Sequence, residues 1–365
     1  MGMKALQAGE KAKELRSKRF ETAAQVAILA KRESVDFVIL AGDLFEHHDV
    51  DETVVHKTVA VFDSFAPIPV FILPGNHDPS IPGGVWDRQS WQRVGNHVRL
   101  LTESTEVPCH NNVVLYPSPL KQKQSNLDPT SWIPMREPGD NRIRIGIAHG
   151  SIDLLPGQTN FPIAANRAIE TSLDYLALGD WHSFFRNGRT VYSGTFEQTS
   201  FSEKDSGDVA MVEIATAGAE PSISRIHVGQ LRWSEHSLTI HDVTDVEQLR
   251  NSIVGSGSLG TQMIRVLPDI EPDVTMPALS ELTSLRNELV EKAFFLDWSE
   301  ETVNIPLNVA VPIPNGVLSS VDSDLSAILE RKIPDGPGQE AASVDLKIVF
   351  EAKSLLRRLV LEGQK

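Results

Sequence analysis

The sequence contains a single cysteine, Cys109, and no long apolar run. One thiol rules out an internal disulfide framework and is typical of a reducing compartment. No apolar run approaches the roughly 18 residues that a membrane-spanning helix needs. The stretch Met1–Phe20 is charged and lacks the apolar centre of a secretory signal peptide. We therefore expect a cytoplasmic protein with no membrane association.

Acidic residues outnumber basic residues in the sequence. The chain has 34 Lys and Arg residues against 49 Asp and Glu residues, which gives a formal net charge of -15. A free-standing, tight nucleic-acid binder is normally basic, so this balance disfavours that class. It does not exclude the class, because basic residues cluster locally, at Lys11, Lys13, Arg16, Lys18 and Arg19. With 365 residues, the chain suits one large domain plus a smaller one.

Polar residues follow four apolar, strand-like segments, which end near residues 41, 73, 148 and 178. Helical patterns alternate with these segments, which predicts a mixed or mainly parallel sheet with helices on its faces. Ligands collect at the carboxyl ends of strands in such sheets, so these polar side chains are expected to meet at one edge. They are Asp43; Asn76, His77 and Asp78; His149; and Asp180 with His182.

This combination of side chains predicts a centre for two divalent metal ions. Oxygens of Asn and Asp with nitrogens of His suit Mn²⁺, Fe²⁺ or Zn²⁺ better than thiolate-loving metals. Two such ions about 3.5–4 Å apart can clamp a phosphate ester and lower the pKa of a shared water. Asp43 is suited to bridge both ions. The remaining metal ligands are expected to divide, with Asn76, His149 and Asp180 on one ion and His182 on the other.

A catalytic role is expected for His77. Alternation along an extended turn directs its side chain away from that of Asn76 and toward a substrate. A histidine in that place can protonate the leaving oxygen of a phosphate ester. Asp78 is expected to orient His77 by supporting it from behind.

Taken in order, these segments resemble the motifs of the calcineurin-like metallophosphoesterase superfamily. The relevant stretches are Gly42-Asp43, Gly75-Asn76-His77-Asp78, Ala148-His149-Gly150 and Gly179-Asp180-Trp181-His182. Within that superfamily, Ala41–Phe45, Tyr175–Gly179 and Tyr192–Phe201 look like the SbcD-type DNA repair exonucleases. The likeness covers roughly residues 1–235.

The resemblance implies an α/β fold, a layered αββα sandwich, with a smaller α+β cap domain. We accordingly expect a metallophosphoesterase domain over residues 1–240, a cap over 241–310, and a linker with a C-terminal helix over 311–365. The implied activity is Mn²⁺-dependent hydrolysis of DNA phosphodiester bonds, by a homodimer with an SbcC-type coiled-coil ATPase as partner. It further implies that Asp43 bridges, that Asn76 and His149 bind the second ion and His182 the first, and that His77 is catalytic.

The sequence departs from this family at three places. The family opens with a strand ending in Asp-x-His that supplies ligands of the first ion, and this chain begins as though just after it. The family's Gly-His-x-His is Gly179-Asp180-Trp181-His182 here, and Glu46 stands where some members carry a histidine. Three functions therefore stay open: a DNA exonuclease or endonuclease subunit, a phosphoesterase for small esters or nucleotides, and a truncated, inactive scaffold subunit.

Local patterns predict several further elements. Helices are expected over residues 10–32 and 51–65, the second with Asp51 as N-cap, and a Trp-containing helix-like stretch over 83–95. Residues 117–140 are expected to form a long loop. A strand over 236–240 is expected to close the first domain. A short helix over 323–331 and a terminal helix over 344–361 complete the prediction.

Overall fold

The computed structural model of the chain divides into two compact units, Met1–Arg232 and Trp233–Lys365. It describes residues 9, 11–110, 112–155, 160–271, 274–298, 311–329, 349, 352–357 and 360. Within the described part of the chain, every helix is too short or too polar to cross a lipid bilayer.

The helices of the first unit are α1 (Ala12–Arg32), α2 (Glu52–Asp63) and α3 (Arg167–Glu170). The first two confirm the predicted helices, α3 was not predicted, and one predicted helix-like stretch is an exception. The predicted N-cap of α2 is confirmed, since the Asp51 carboxylate accepts a hydrogen bond of 2.7 Å from the backbone N–H of Thr53. The exception is the helix-like stretch over 83–95, which consists of two short 3₁₀ turns, Val85–Asp87 and Trp91–Arg93.

Two sheets form the framework of the first unit. The smaller is parallel, with the order β1 (Val38–Ala41), β2 (Val70–Leu73) and β3 (Val98–Leu100). The larger has six strands in the order β10-β11-β9-β6-β5-β4. Their bounds are β4 Val107–Pro108, β5 Val113–Ser118, β6 Ile143–His149, β9 Tyr175–Gly179, β10 Phe185–Asn187 and β11 Thr190–Tyr192. Its inner pairs are parallel and its outer pairs antiparallel, which confirms a mixed α/β arrangement.

Two minor pairs of strands complete this unit. Strands β7 (Ser151–Ile152) and β8 (Pro162–Ile163) pair in parallel. Strands β12 (Asp208–Glu213) and β13 (Ser222–His227) form an antiparallel hairpin.

Alternation of side chains along β2 explains how the sheets are covered. Phe71 and Leu73 join a buried apolar cluster that also contains Ile145 and Ile147 of β6, so this cluster draws on both sheets. The next residues along the strand, such as Ile72, belong to a second cluster that includes α1 and α2. Successive side chains of a strand point to opposite faces, and each fully buried one contributes about 1.5–3 kcal/mol. The two faces of β2 therefore hold the strand in place.

The second unit contains a small α+β arrangement. Its elements are β14 (Arg232–Ile240), α4 (Val243–Val254), β15 (Gln262–Ile270), α5 (Met276–Lys292), β16 (Phe295–Trp298) and α6 (Val317–Leu329). Strand β14 pairs with β15, so the expectation that residues 236–240 close the first domain was wrong. A pairing partner that lies further along the chain leaves no mark on the pattern of the strand itself. The expected terminal helix over 344–361 lies mostly outside the described residues.

Candidate metal centre

The carboxyl ends of β1, β2, β6 and β9 carry the polar residues that the sequence singled out. β1 ends at Ala41 and is followed by Gly42 and Asp43, and β6 ends at His149 itself. β2 and β9 lead into Asn76 and Asp180 in the same way. Strand β1 is parallel to β2 and β6 is parallel to β9, and the polar residues at the carboxyl ends of these two pairs meet at one place.

Two glycines allow the strand ends to approach each other this closely. A Cβ atom on Gly179 would lie 1.8 Å from the carbonyl oxygen of Ala41. A Cβ atom on Gly42, whose φ is +95°, would lie 2.1 Å from Nδ1 of His149. Neither position has room for a side chain, because one neighbour is main chain and the other is a buried ring. The glycines that precede Asp43 and Asp180 therefore allow the strand ends to come this close together.

Four side chains converge at this edge. Nε2 of His149 lies 2.9 Å from Oδ1 of Asn76, 3.2 Å from Oδ2 of Asp43 and 3.8 Å from Oδ1 of Asp180. The potential ligand atoms of Asp43, His149 and Asp180 all lie within 4.8 Å of one another. His149 is 1% exposed. The arrangement is a compact group of one buried nitrogen and several oxygens on partly exposed side chains.

The hydrogen bonds around His149 leave this group of side chains suited to bind a cation. Its Nδ1 lies 2.8 Å from the carbonyl oxygen of Ala41 and therefore carries the proton that the carbonyl accepts. In the neutral ring, Nε2 then presents a lone pair to the oxygens of Asp43 and Asp180. Acceptors that face one another need a proton or a metal ion between them. Nitrogen and oxygen donors of this kind suit a divalent ion of hard to borderline character.

The amide of Asn76 supports the same interpretation. When its oxygen faces Nε2 of His149, the amide meets only acceptors. With the amide turned over, its NH₂ group donates to Nε2 of His149 at 2.9 Å and to Oδ2 of Asp43 at 3.1 Å. A cation would reverse the preference and draw the amide oxygen inward. The Asn76 amide can therefore donate hydrogen bonds to His149 and Asp43 when no ion is bound, and can offer its oxygen as a ligand when one is.

Electrostatics at the centre favour positive charge on His149. Burial lowers the pKa of His149, but the Asp43 carboxylate, the Ala41 carbonyl and Asp180 together raise it to about 9. Burial raises the pKa of Asp43, and the opposing effect of His149 holds it below its ordinary value. In the metal-free protein, a proton on His149 thus supplies charge that a metal ion would otherwise supply.

Comparison with known proteins places these residues in a family. Residues 17–191 match the sequence profile of the calcineurin-like phosphoesterases. This part of the chain is a calcineurin-like phosphoesterase domain. The family uses divalent metal ions and hydrolyses phosphoesters, and the matched span includes every residue of the cluster. No curated protein matches the chain.

In the metal-free phosphoesterase domain, stability is expected to fall as the pH rises from about 6.5 to about 9. The folded state raises the pKa of His149 above its ordinary value of about 6.5, so it holds the proton more tightly than the unfolded chain does. The resulting stabilisation is complete below the lower pH and is lost above the higher one. Thermal unfolding in the presence of a chelator, at several pH values, measures this dependence. A His149→Gln variant should lack it, and a melting temperature that stays level in the parent protein would contradict the raised pKa.

His182 lies beside the cluster of ligand atoms rather than within it. Its Nδ1 is 2.7 Å from Oε1 of Glu203, and its side chain is 54% exposed. The bond to Glu203 is the largest reason that the pKa of His182 is raised, and the charge of Asp43 adds to it. Glu203 in turn accepts from the backbone N–H of Thr199 at 2.8 Å. A buried carboxylate therefore holds the side chain of His182 in its orientation.

Glu203 was missed by the sequence reasoning. It lies in an irregular polar loop, 21 residues after His182, and no periodicity or motif connects the two positions. A carboxylate in a loop is ordinarily solvated, whereas Glu203 is 8% exposed. Only the folded loop reveals the contact.

His77 lies at the rim of the centre with its ring fixed in orientation. Its backbone N–H donates to Oδ1 of Asp43 at 2.9 Å, and its Nδ1 is 2.9 Å from the carbonyl oxygen of Glu46. The carbonyl can only accept, so Nδ1 is the donor. Nε2 is thereby left for a substrate. Glu46, to which the sequence assigned no catalytic role, contributes its backbone oxygen.

Asp78 is fully buried and binds the backbone of two loops. Its carboxylate accepts from the backbone N–H of Gly75 at 2.7 Å and from that of Phe45 at 2.9 Å. Burial and then the charge of Asp43 raise the pKa of Asp78 to about 6. The described contacts of Asp78 thus lie with the loops that carry Asp43 and His77, while the His77 ring takes its support from Glu46.

Proposed function

We propose that this chain is a metal-dependent phosphodiesterase that hydrolyses DNA, in the manner of the SbcD-type exonucleases. The observation that carries the proposal is the convergence of Asp43, Asn76, His149 and Asp180 with His77 at the rim. These residues lie within the span that matches the phosphoesterase profile.

The proposed chemistry assigns a separate task to each part of the site. Bound divalent ions would supply Lewis acidity and an activated water at neutral pH. Asp43, Asn76, His149 and Asp180 would hold the metal and thereby position the phosphate. The protonated His77, fixed through Nδ1, would donate a proton from Nε2 to the leaving oxygen.

A second ion is proposed next to the first, with His182 as one of its ligands. The contact between Nδ1 of His182 and Glu203 supports this role, because carboxylates commonly orient metal-bound histidines through the second ring nitrogen. The contact leaves Nε2 as the ligand atom. We propose Mn²⁺ for both positions, on the grounds of the donor set and the resemblance.

The biological setting follows from the resemblance of 41–45 and 192–201 to the SbcD-type enzymes. We propose DNA as substrate, an SbcC-type coiled-coil ATPase as partner, a homodimer as the assembly and the cytoplasm as the location. A partner that carries basic surface would compensate for the acidic balance of this chain.

A second candidate is a phosphoesterase for small esters or nucleotides. The net charge of -15 favours it, because small substrates need no extended basic surface. A third candidate is a scaffold subunit without activity.

Replacing His77 by alanine is expected to lower the rate of hydrolysis by about 10²-fold, since the leaving oxygen loses its proton donor. The assay uses the purified chain with Mn²⁺ on linear double-stranded DNA and on a small aryl phosphodiester. Chelation should abolish both reactions. His47→Ala is a matched control, because His47 is an exposed histidine in the loop after β1.

The alternatives predict different results in the same assay. Undiminished cutting by His77→Ala would contradict its role as proton donor. Hydrolysis of the aryl diester without any cutting of DNA would favour the small-ester enzyme. A chain that neither hydrolyses any substrate nor binds Mn²⁺ would favour the scaffold.

A further inference from the structure

A pocket opens beside the proposed proton donor. It has a volume of about 220 Å³ and is lined by Asn76, His77, Lys123, Gln124 and Asn160. Pockets that take a whole drug-sized ligand are larger, about 300–1,000 Å³. The space suits one phosphate group with part of a sugar. It adjoins the residues that would handle the phosphate to be cleaved.

One wall of the pocket is built by the loop over residues 117–140, and Asn160 fixes its shape. The Asn160 side chain accepts from the backbone N–H of Ser125 at 3.0 Å and donates to the backbone oxygen of Lys123 at 3.0 Å. The backbone N–H of Phe161 adds a bond of 2.8 Å to the carbonyl of Ser125. The amide of Asn160 is thus used by the loop, and Asn160 is a positioning residue.

The same loop is tied to the segment that carries His77. The backbone N–H of Leu120 donates to the carbonyl of Pro74 at 3.3 Å, and the backbone N–H of Ser80 donates to the carbonyl of Leu120 at 2.8 Å. Leu120 is 3% exposed, which anchors the loop in the core. These bonds therefore fix the loop over residues 117–140 next to the segment that carries Asn76 and His77.

Lys123 brings an uncompensated positive charge to this wall. Among the residues that the structure describes, it has no carboxylate at ion-pair distance, whereas its neighbour Lys121 pairs with Glu103 at 3.0 Å. Burial, followed by the charge of Lys123, lowers the pKa of His48 in the loop after β1. The ammonium group of Lys123 is therefore close enough to act on His48, and it lines the same pocket as His77. The net charge of the whole chain, by contrast, is -15.

We propose that Lys123 and Gln124 form a subsite that binds a phosphate next to the one being cleaved. This inference rests on the proposed function and gives it a substrate class: a phosphodiester within a nucleic-acid strand rather than an isolated ester. Lys123 supplies a charged donor and Gln124 an amide donor, both of which suit phosphate oxygens. Asn160 holds the two residues in place.

The first test compares thymidine dinucleotides with and without an extra terminal phosphate at the 5′ or the 3′ end. The parent protein with Mn²⁺ should prefer one of the phosphorylated forms by about tenfold in kcat/KM, the size expected of one charged hydrogen bond. Lys123→Gln should bring this ratio to about 1. Lys121→Gln, which removes a lysine already paired with Glu103, should preserve it.

The second test measures binding without turnover. A fluorescent single-stranded phosphorothioate oligonucleotide is titrated in the presence of a chelator at several salt concentrations. Each neutralised phosphate contributes about 0.7 to the slope of log K against log salt for single strands. Lys123→Gln should reduce the slope by about that amount, and Lys121→Gln should leave it unchanged.

The two tests separate this inference from the proposed function. Salt slopes that differ as expected, without hydrolysis of any substrate, would support the subsite and overturn the phosphodiesterase. Hydrolysis with equal rates for phosphorylated and plain dinucleotides, or with a preference that survives Lys123→Gln, would overturn the subsite alone. A parent protein that binds no oligonucleotide would overturn it as well.

Discussion

Replacing Asp43 by asparagine is expected to leave the protein folded and to lower hydrolysis by at least about 10³-fold. Loss of a residue that merely orients a metal ligand costs about 10–100-fold, and loss of a ligand exceeds that. The carboxylate of Asp43 is also the main source of negative charge that raises the pKa of His149. An uncharged amide would leave a divalent ion with much less compensation.

Asparagine is the replacement of choice because it keeps the local backbone. Asp43 has a φ of +52°, in the left-handed region that Asn and Asp tolerate better than other side chains. The amide oxygen can still accept the hydrogen bond from the backbone N–H of His77, which is 2.9 Å long in the parent protein. The variant therefore removes charge with little change in shape.

Calorimetric titration with Mn²⁺ and hydrolysis of an aryl phosphodiester measure the effect. Asp49→Asn is the matched control, because Asp49 is exposed in the loop after β1 and should show parent-like metal binding and activity. Unfolding curves of both variants establish that the fold is retained. Metal affinity and turnover within about threefold of the parent would exclude Asp43 as a ligand.

Replacing Asp174 by alanine is expected to lower the free energy of unfolding by about 4 kcal/mol. Removing one partner of a buried charged network leaves the others desolvated and unpaired, at a cost of about 3–5 kcal/mol. The Asp174 carboxylate is fully buried just before β9. It accepts from Arg136 at 2.7 Å, from the backbone of Gly218 at 2.7 Å, from the backbone of Arg144 at 2.8 Å and from Arg189 at 3.4 Å.

Urea denaturation followed by tryptophan fluorescence gives the change in unfolding free energy. Asp174→Asn should fall between the parent and the alanine variant, because the amide keeps one acceptor and loses the charge. Asp205→Ala is the control: Asp205 is 64% exposed and meets Arg225 at only 3.5 Å, so its loss should cost less than about 1 kcal/mol. A loss below that level for Asp174→Ala would show that the network is dispensable.

The strand-end residues could be predicted from the sequence because their placement follows from short-range rules. An apolar run, a glycine and a polar residue mark the end of a buried strand, and parallel strands bring such ends together. Asp43, Asn76, His149 and Asp180 were all expected at one edge for this reason, and the structure brings them there. The N-cap at Asp51 could be predicted for the same reason, because its hydrogen bond joins residues that are close in the sequence.

Other features depended on contacts between distant irregular segments. The pairing of His182 with Glu203, the bond from His77 to the Glu46 carbonyl and the two backbone partners of Asp78 all join loops. Loop conformations follow no repeating period, so composition alone does not indicate which groups meet. The strand over residues 236–240 was assigned to the wrong domain for a related reason, since the neighbours of a strand are decided by the whole sheet.

The two glycines between the strand ends have a consequence for how this centre tolerates change. Where Gly179 meets Ala41 and Gly42 meets His149, the separation of the strand ends is set by main-chain atoms and one ring, without a packed side chain between them. Main-chain dimensions are the same for every amino acid, so the ligand spacing is less sensitive to substitutions in the apolar clusters than a spacing set by packed side chains would be. Mutations in the core should accordingly reduce the fraction of folded molecules while each folded molecule keeps its metal affinity. In this domain, a mutation can lower the stability of the fold without changing the spacing of the ligand atoms.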